Sequence, residues 1–255
     1  MLVFIIPVKS PAVSTSWDRF SKLFERCIKS VCNQTLPNFR VIVVCNDRPA
    51  IEFRNSHIDY IEVDFPPPDS NQRNYGQVRG AGDADKARKV LTGIAFADKF
   101  QPSHLMVVDA DDCVSKYLAE FVARNSQADG WFLKKGYVYE EGSKFIYLNL
   151  KNFNQSCGTS IVIKYGLHNL LFPNKNYYDH NHHILQNGVT LKALPFVGAV
   201  YSIRNAENMF MSTAKTQQLK DRENSLLFAV KKAVKYRPML LTKTIRDDFS
   251  LYKIN

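Results

Sequence analysis

One stretch constrains this chain more than any other: His104-Leu105-Met106-Val107-Val108-Asp109-Ala110-Asp111-Asp112-Cys113. An apolar run of strand length stops abruptly on three carboxylates packed into four positions. Clustered carboxylates repel one another, so a fold tolerates them where a hard cation or a hydrogen-bonding ligand neutralises the charge. The competing reading is a solvated acidic turn that caps the helix following it, because Asp is also a good N-cap. The flanking sequence decides between them.

Strand and helix patterns alternate along the first half. Residues 2–8 are a continuous apolar run, as in a strand covered on both faces. Ser14 to Ser16 offer N-caps, and Trp17, Phe20, Leu23, Phe24, Cys27, Ile28 and Val31 then recur at helical spacing. Residues 39–45 read as a second strand ending at Asn46-Asp47, and Ile58 to Val63 as a third, stopped by three prolines. The polar segment from Asp69 to Asp85 is too long for an ordinary connection and reads as a binding loop or lid. Lys86 to Phe100 is expected to be helical, and Leu105 to Val108 a fourth strand. Such alternation implies a mostly parallel sheet under right-handed crossovers, with ligands at the carboxyl ends of its strands. Pro7, Asp47 and Asp109 should therefore meet at one crevice.

Composition excludes several classes. The chain has 255 residues, 45% of them hydrophobic, enough for one large domain or two intimate halves. No apolar run approaches the roughly 20 residues that span a bilayer, and the run at Leu2 lacks the basic flank of a signal peptide. Five cysteines without Cys-x-x-Cys spacing argue for free thiols in a reducing cytoplasm. The net charge of +10 invites a nucleic-acid reading, but residues 201–255 alone hold eleven Lys/Arg against five Asp/Glu. No helix-turn-helix, zinc-finger or RNP-type signature accompanies that charge, so nucleic acid is an unfavoured partner.

The order of a strand with Ile-Ile-Pro-Val, an amphipathic helix, a strand ending at Asp47 and then Val108-Asp109-Ala110-Asp111-Asp112 resembles glycosyltransferase family 2, with its GT-A fold. The resemblance covers about residues 2–205. It implies an α/β domain with a Rossmann-like, mostly parallel sheet flanked by helices, over residues 1–212, with a nucleotide-sugar half (1–112) and an acceptor half (113–212). It also implies that Pro7, Val8 and Asp47 embrace a nucleotide, that Asp109 and Ala110 contact its ribose, and that Asp109 and Asp111 hold Mn²⁺ or Mg²⁺. Many members carry Ala-Arg-Asn-x-Gly before the metal motif. This chain has Ala87-Arg88-Lys89-Val90-Leu91-Thr92-Gly93, so Lys86, Arg88 and Lys89 become the candidates for phosphate contact at the helix start.

In the second half, Ser115 to Arg124 reads as a helix, and Gly158-Thr159 leading into Ile161-Val162-Ile163 is similar to the family's acceptor-side loop. Gly158 would permit close approach of a sugar. In Tyr178-Asp179-His180-Asn181-His182-His183, Asp179 occupies the place where the family begins a helix with its base, and His180 replaces a second acid. Three readings stand: Asp179 as base, which the resemblance favours, His180 as base, or His180 or His182 as a metal ligand completing the Asp111 site. After the strand at Val200, Arg204 suits a diphosphate best, ahead of Asn205, Asn208 and Ser212. Leu219, Leu226, Leu227, Val230 and Val234 form a helical stripe among basic residues, so 213–255 reads as a basic helical extension able to pack on the core or lie on anionic lipid.

The resemblance thus implies an inverting hexosyltransferase that is cytoplasmic or peripheral at the inner membrane face. It would move a sugar from a nucleoside diphosphate donor, UDP-linked, to a glycan or lipid-linked acceptor in surface polysaccharide synthesis. The alternatives are a sugar nucleotidyltransferase and a non-catalytic glycan- or nucleic-acid-binding protein. The first normally opens with a Gly-rich loop, whereas Lys9 to Ser14 contains no glycine; the second has no need of three clustered carboxylates.

Overall fold

The structure, a computed structural model, describes residues 1–68, 75–207 and 236–254. Strands β1 (Leu2–Pro7), β2 (Phe39–Cys45), β3 (Ile58–Glu62) and β4 (His104–Val107) alternate with helices α1 (Trp17–Cys32) and α2 (Tyr75–Ala97). There follow β5 (Cys113–Val114), α3 (Leu118–Arg124), β6 (Gly130–Phe132), β7 (Gly136–Glu140), β8 (Phe145–Asn149) and β9 (Ile161–Lys164). The rest comprises β10 (Lys192–Ala193), β11 (Ala199–Ile203), β12 (Tyr236–Leu240) and α4 (Lys243–Phe249).

A seven-stranded sheet in the order β10-β6-β9-β4-β1-β2-β3 forms the centre. β1 runs parallel to both neighbours, with Leu2 opposite Phe39 on one side and His104 on the other. Strict alternation splits its residues between two faces. Leu2, Phe4 and Ile6 pack with Phe20, Phe24 and Ile28 of α1, while Val3 and Ile5 pack with Ala87, Val90 and Ile94 of α2. Full burial of each large aliphatic side chain contributes about 1.5–3 kcal/mol, which is why a short all-apolar strand is stable only between two helical layers. Gly93 lets α2 lie close on the sheet, since a Cβ there would come within 2.7 Å of Ile5 Cγ2. The parallel strands all point their carboxyl ends toward one edge, and Pro7 and Asp109 both lie there.

A second sheet, in the order β12-β8-β7-β11-β5, packs beside the first. Its core joins Cys113, Tyr139, Ile146 and Val200 to Leu241, Ile245, Phe249 and Leu251. Arg26 of α1 reaches this sheet as a buried ion: its Nη1 donates at 2.8 Å to Glu141 Oε2 and at 2.8 Å to the Tyr252 carbonyl.

Three local expectations differ from this structure. α2 begins at Tyr75, so the polar stretch up to Asp85 is helical over its second half. That stretch reads as a loop because it is polar, yet the helix it opens buries Ala87, Val90, Ile94 and Ala97 against the sheet, and Lys89 bonds back to Asp85 one turn earlier. Lys86 and Lys89 are therefore mid-helix, away from any N-terminal dipole. No helix begins at Asp179, because its Oδ1 accepts from the Asn181 and His182 amides in a tight turn that the backbone does not continue. Among the described residues of the expected helical extension, 236–240 is instead a strand paired with β8, and α4 alone is helical. Pro238 is tolerated there because β12 is an edge. The stripe from Leu219 to Val234 lies outside the described residues, as do Asn208 and Ser212. Among the described residues, no helix is long and apolar enough to cross a membrane.

Candidate functional site

The carboxyl ends of β1 and β4 open into a cavity of about 510 Å³. Pro7, Val8, Lys86, Asp109, Ala110, Asp111 and His180 all line it, which brings together most of the residues expected from sequence. Val107 is the last β4 residue; Val108 still bonds to Ile5, and Asp112 N–H donates to the Asp109 carbonyl at 3.0 Å, closing a turn. The three carboxylates diverge at that turn and take different roles.

Asp112 is fully buried and does not line the cavity. It accepts from Thr159 Oγ1 at 2.7 Å, the Ser202 amide at 3.1 Å and Cys157 Sγ at 3.2 Å, so it braces β4 against β11 and the loop before β9. Burial, then the charges of Asp111 and Asp109, push its carboxyl well above the usual range. Asp109 meets Lys86, whose Nζ lies 2.5 Å from Oδ1, and its amide donates to Thr159 Oγ1 at 2.9 Å. Burial opposes charge on Lys86, but the adjacent Asp109 carboxylate outweighs it and holds the ammonium above its ordinary value. Gly158 makes room for this pair: a Cβ would fall 2.3 Å from Asp109 Oδ2 and 2.7 Å from Lys86 Nζ. The need at Gly158 is thus space for an ion pair.

Asp111 faces the cavity and accepts from Asn205 Nδ2 at 2.7 Å. Burial, with the charge of Asp109, raises its carboxyl to about 6, against the opposing effects of Asn205 and Lys9. Two carboxylates two positions apart, one of them charged at neutral pH against the cost of burial, form a site whose charge a divalent cation would relieve. Asp109, Asp111 and His180 do not close into a three-ligand cluster, and among the described residues no group of three His, Cys, Asp or Glu does. What fits a metal is the Asp111–Asp109 pair with further positions open.

His180 lines the cavity near Lys86 and Asp109. Burial and the Lys86 charge lower its imidazole to about 4, so it is neutral at neutral pH. Asp179 is turned the other way, into a shallow surface cleft, where its Oδ2 is 2.6 Å from His182 Nδ1. Its oxygens are taken by local donors, which removes it from the cavity. Asp47 is exposed beyond β2 and is not among the lining residues. Arg204 also lies off the cavity: it sits at a left-handed φ of 56° with Nη1 3.6 Å from Glu140 Oε2.

Sequence reasoning missed Lys9, Tyr201 and Glu207, and gave Lys89 a phosphate-contacting role that its bonds do not support. Lys89 is buried and donates at 2.8 Å both to the Val8 carbonyl and to Asp85, tying α2 to the end of β1. Glu207 ion-pairs with Lys9, and both line the cavity. Burial would raise the Glu207 carboxyl, but Lys9, Ser14 and the Ser16 amide bring it below its ordinary value. Lys9, Tyr201 and Glu207 belong to no local motif; the nearest signal was the position of Lys9 just past an apolar strand.

No family model matches this chain, and no curated protein does. Among solved structures, it is similar to S. aureus TarS residues 1–349 in complex with UDP-GlcNAc, with a TM-score of 0.54 and 12% identity over 83% of this chain and 61% of that one. Its fold is the α/β, GT-A-type arrangement of that protein. The same TarS fragment in complex with UDP matches with a TM-score of 0.48 at 10% identity, over 79% of this chain and 60% of that one. The bifunctional IspDF of Campylobacter jejuni follows with a TM-score of 0.38 at 13% identity, over 81% and 51%. The chain spans about three-fifths of the length of the TarS fragment.

Proposed function

We propose that this chain is a glycosyltransferase that moves a sugar from a nucleoside diphosphate donor, UDP-linked, to an acceptor hydroxyl with inversion, in surface or envelope glycan synthesis. The observation that carries the reading is the cavity at the carboxyl ends of β1 and β4, lined by Asp109, Asp111 and Lys86. The shared fold supports it, since the TarS fragment is described with UDP-GlcNAc and UDP.

Pro7 and Val8 form the floor under the nucleotide, and Lys86 supplies a cation to the diphosphate once Asp109 turns to the ribose. Asp111, with Asp109, would hold Mn²⁺ or Mg²⁺, which when bound supplies Lewis-acid stabilisation of the departing diphosphate. His180 is the better-placed base: its imidazole is unprotonated above about pH 4 and so is free to take the acceptor proton. A bound diphosphate beside it would raise that value and strengthen it as a base. The acceptor is a glycan or a lipid-linked sugar, and the enzyme works in the cytoplasm or against the inner membrane face.

A thermal-shift series with UDP, GDP, CDP and dTDP, each with and without Mn²⁺, tests the donor class, because a ligand that binds the folded state stabilises it by mass action. A shift with UDP that grows with Mn²⁺ is expected. No response to any of the four at millimolar concentration would remove the assignment.

A further inference from the structure

Glu207 joins two walls of the cavity that lie far apart in the chain. Besides Lys9, its carboxylate accepts from Ser14 Oγ at 2.8 Å, the Thr15 amide at 3.2 Å and the Ser16 amide at 2.7 Å. Lys9 also donates to the Glu207 carbonyl at 3.0 Å. The loop after β1 is thus gripped by a side chain that is only 1% exposed. The Glu207 amide in turn donates to Asn205 Oδ1 at 2.9 Å. With Oδ1 so engaged, the Asn205 amide can present only its Nδ2 donors to Asp111, 2.7 Å away. Packing does not demand this network, because an apolar residue would fill the same space without desolvating two charges.

We propose that Glu207 is a positioning residue: it pins the Lys9–Ser16 loop as the nucleotide-side wall of the cavity and orients Asn205 toward Asp111. The inference rests on the donor-binding reading above and deepens it by assigning the residue that shapes the donor side. Ring contact of Lys9 with Phe20, 5.0 Å from its centroid, seats the same wall on α1.

The test compares Glu207→Gln and Asn205→Ala with Glu141→Gln, which breaks the buried Arg26 ion pair in the second sheet and touches nothing in the cavity. Glutamine keeps the shape of residue 207 but presents an NH₂ toward Lys9 and the Thr15 and Ser16 amides, which can only donate. Three quantities are read: amide hydrogen exchange at Thr15 and Ser16, the Kd for UDP, and the Kd for Mn²⁺ alone. Glu207→Gln should speed exchange at both amides and weaken UDP by at least about tenfold, the scale of one charge-assisted hydrogen bond. Asn205→Ala should leave those amides protected and weaken Mn²⁺ by about 10–100-fold. Glu141→Gln should lower the melting temperature yet leave UDP affinity within about twofold. UDP binding unchanged in Glu207→Gln overturns the proposal, and so does an equal loss in Glu141→Gln, which would mark general destabilisation. A wild-type chain that binds no nucleoside diphosphate defeats the donor reading instead, and exchange at Thr15 and Ser16 still decides whether Glu207 pins the loop.

Discussion

Replacing Asp111 by Asn should make the metal-free protein more stable at alkaline pH while abolishing metal-dependent nucleotide binding. Burial and the neighbouring Asp109 raise the Asp111 carboxyl from 3.8 to about 6 in the folded protein. A raised carboxyl contributes stability that is fully present below the unfolded value and is lost as pH rises through about 6. At pH 8 the wild type therefore carries the whole cost of a charge held where it is disfavoured. Two pKa units at about 1.4 kcal/mol each give roughly 3 kcal/mol. The side chain is only partly buried, so screening reduces this to about 1–2 kcal/mol. Asparagine keeps an oxygen to accept from Asn205 and removes the charge. For a chain of this size that is a rise of roughly 2–8 °C in melting temperature. Melting in EDTA at pH 8, 6 and 4 measures it, with the gain largest at pH 8 and vanishing at pH 4. Mn²⁺ should then stabilise the wild type and not the variant. A variant less stable than wild type at pH 8 in EDTA would refute the argument, because Asp111 would then be held by favourable contacts and not by a charge awaiting a partner.

His180→Ala should lower turnover by about two to four decades with UDP affinity kept, whereas Asp179→Ala should leave turnover near normal; the opposite pattern in steady-state kinetics would return the base to Asp179. Gly158→Ala drives a methyl group into the Asp109–Lys86 pair, whose side chains can yield, so it should cost only about 1 kcal/mol in urea unfolding yet weaken UDP about tenfold or more in calorimetry. Asp47→Ala should leave the UDP Kd within about threefold, given its exposed place off the cavity; a loss beyond tenfold would show that Asp47 reaches the nucleotide after all. Mn²⁺ affinity should fall by about tenfold per pH unit below about 6, where a proton competes for Asp111, and a flat titration between pH 7 and 5 would contradict the raised carboxyl.

The central sheet was legible because its signal is local. Val3, Ile5, Leu105 and Val107 on one face, and Leu2, Phe4, Met106 and Val108 on the other, are apolar in the unbroken manner of strands between two helical layers. Burial of that kind needs no knowledge of what lies opposite. The edge at which parallel strands end is equally local, so Pro7 and Asp109 fell at the cavity as expected, whereas Asp47, beyond the end of β2, did not. The start of α2 was misjudged because its first turns are polar and carry little apolar period of their own, while the later turns bury one face against β1 and β2.

Tertiary structure decided the rest, through contacts between residues with no periodic relation. Nothing near Asp112 in sequence says that Thr159 and Ser202 will swallow it while Asp111, one position earlier, stays at the cavity. Asp179 and His180 are neighbours, and the resemblance favoured Asp179 as the base, yet a two-residue turn sent His180 to the cavity and Asp179 to the other side. Lys9 and Glu207 lie 198 positions apart and meet only because β1 and β11 end at the same cleft. Side-chain periodicity records which residues face inward; it carries no record of which inward-facing charges will find each other, because that depends on the packing of whole layers and not on the chain between them.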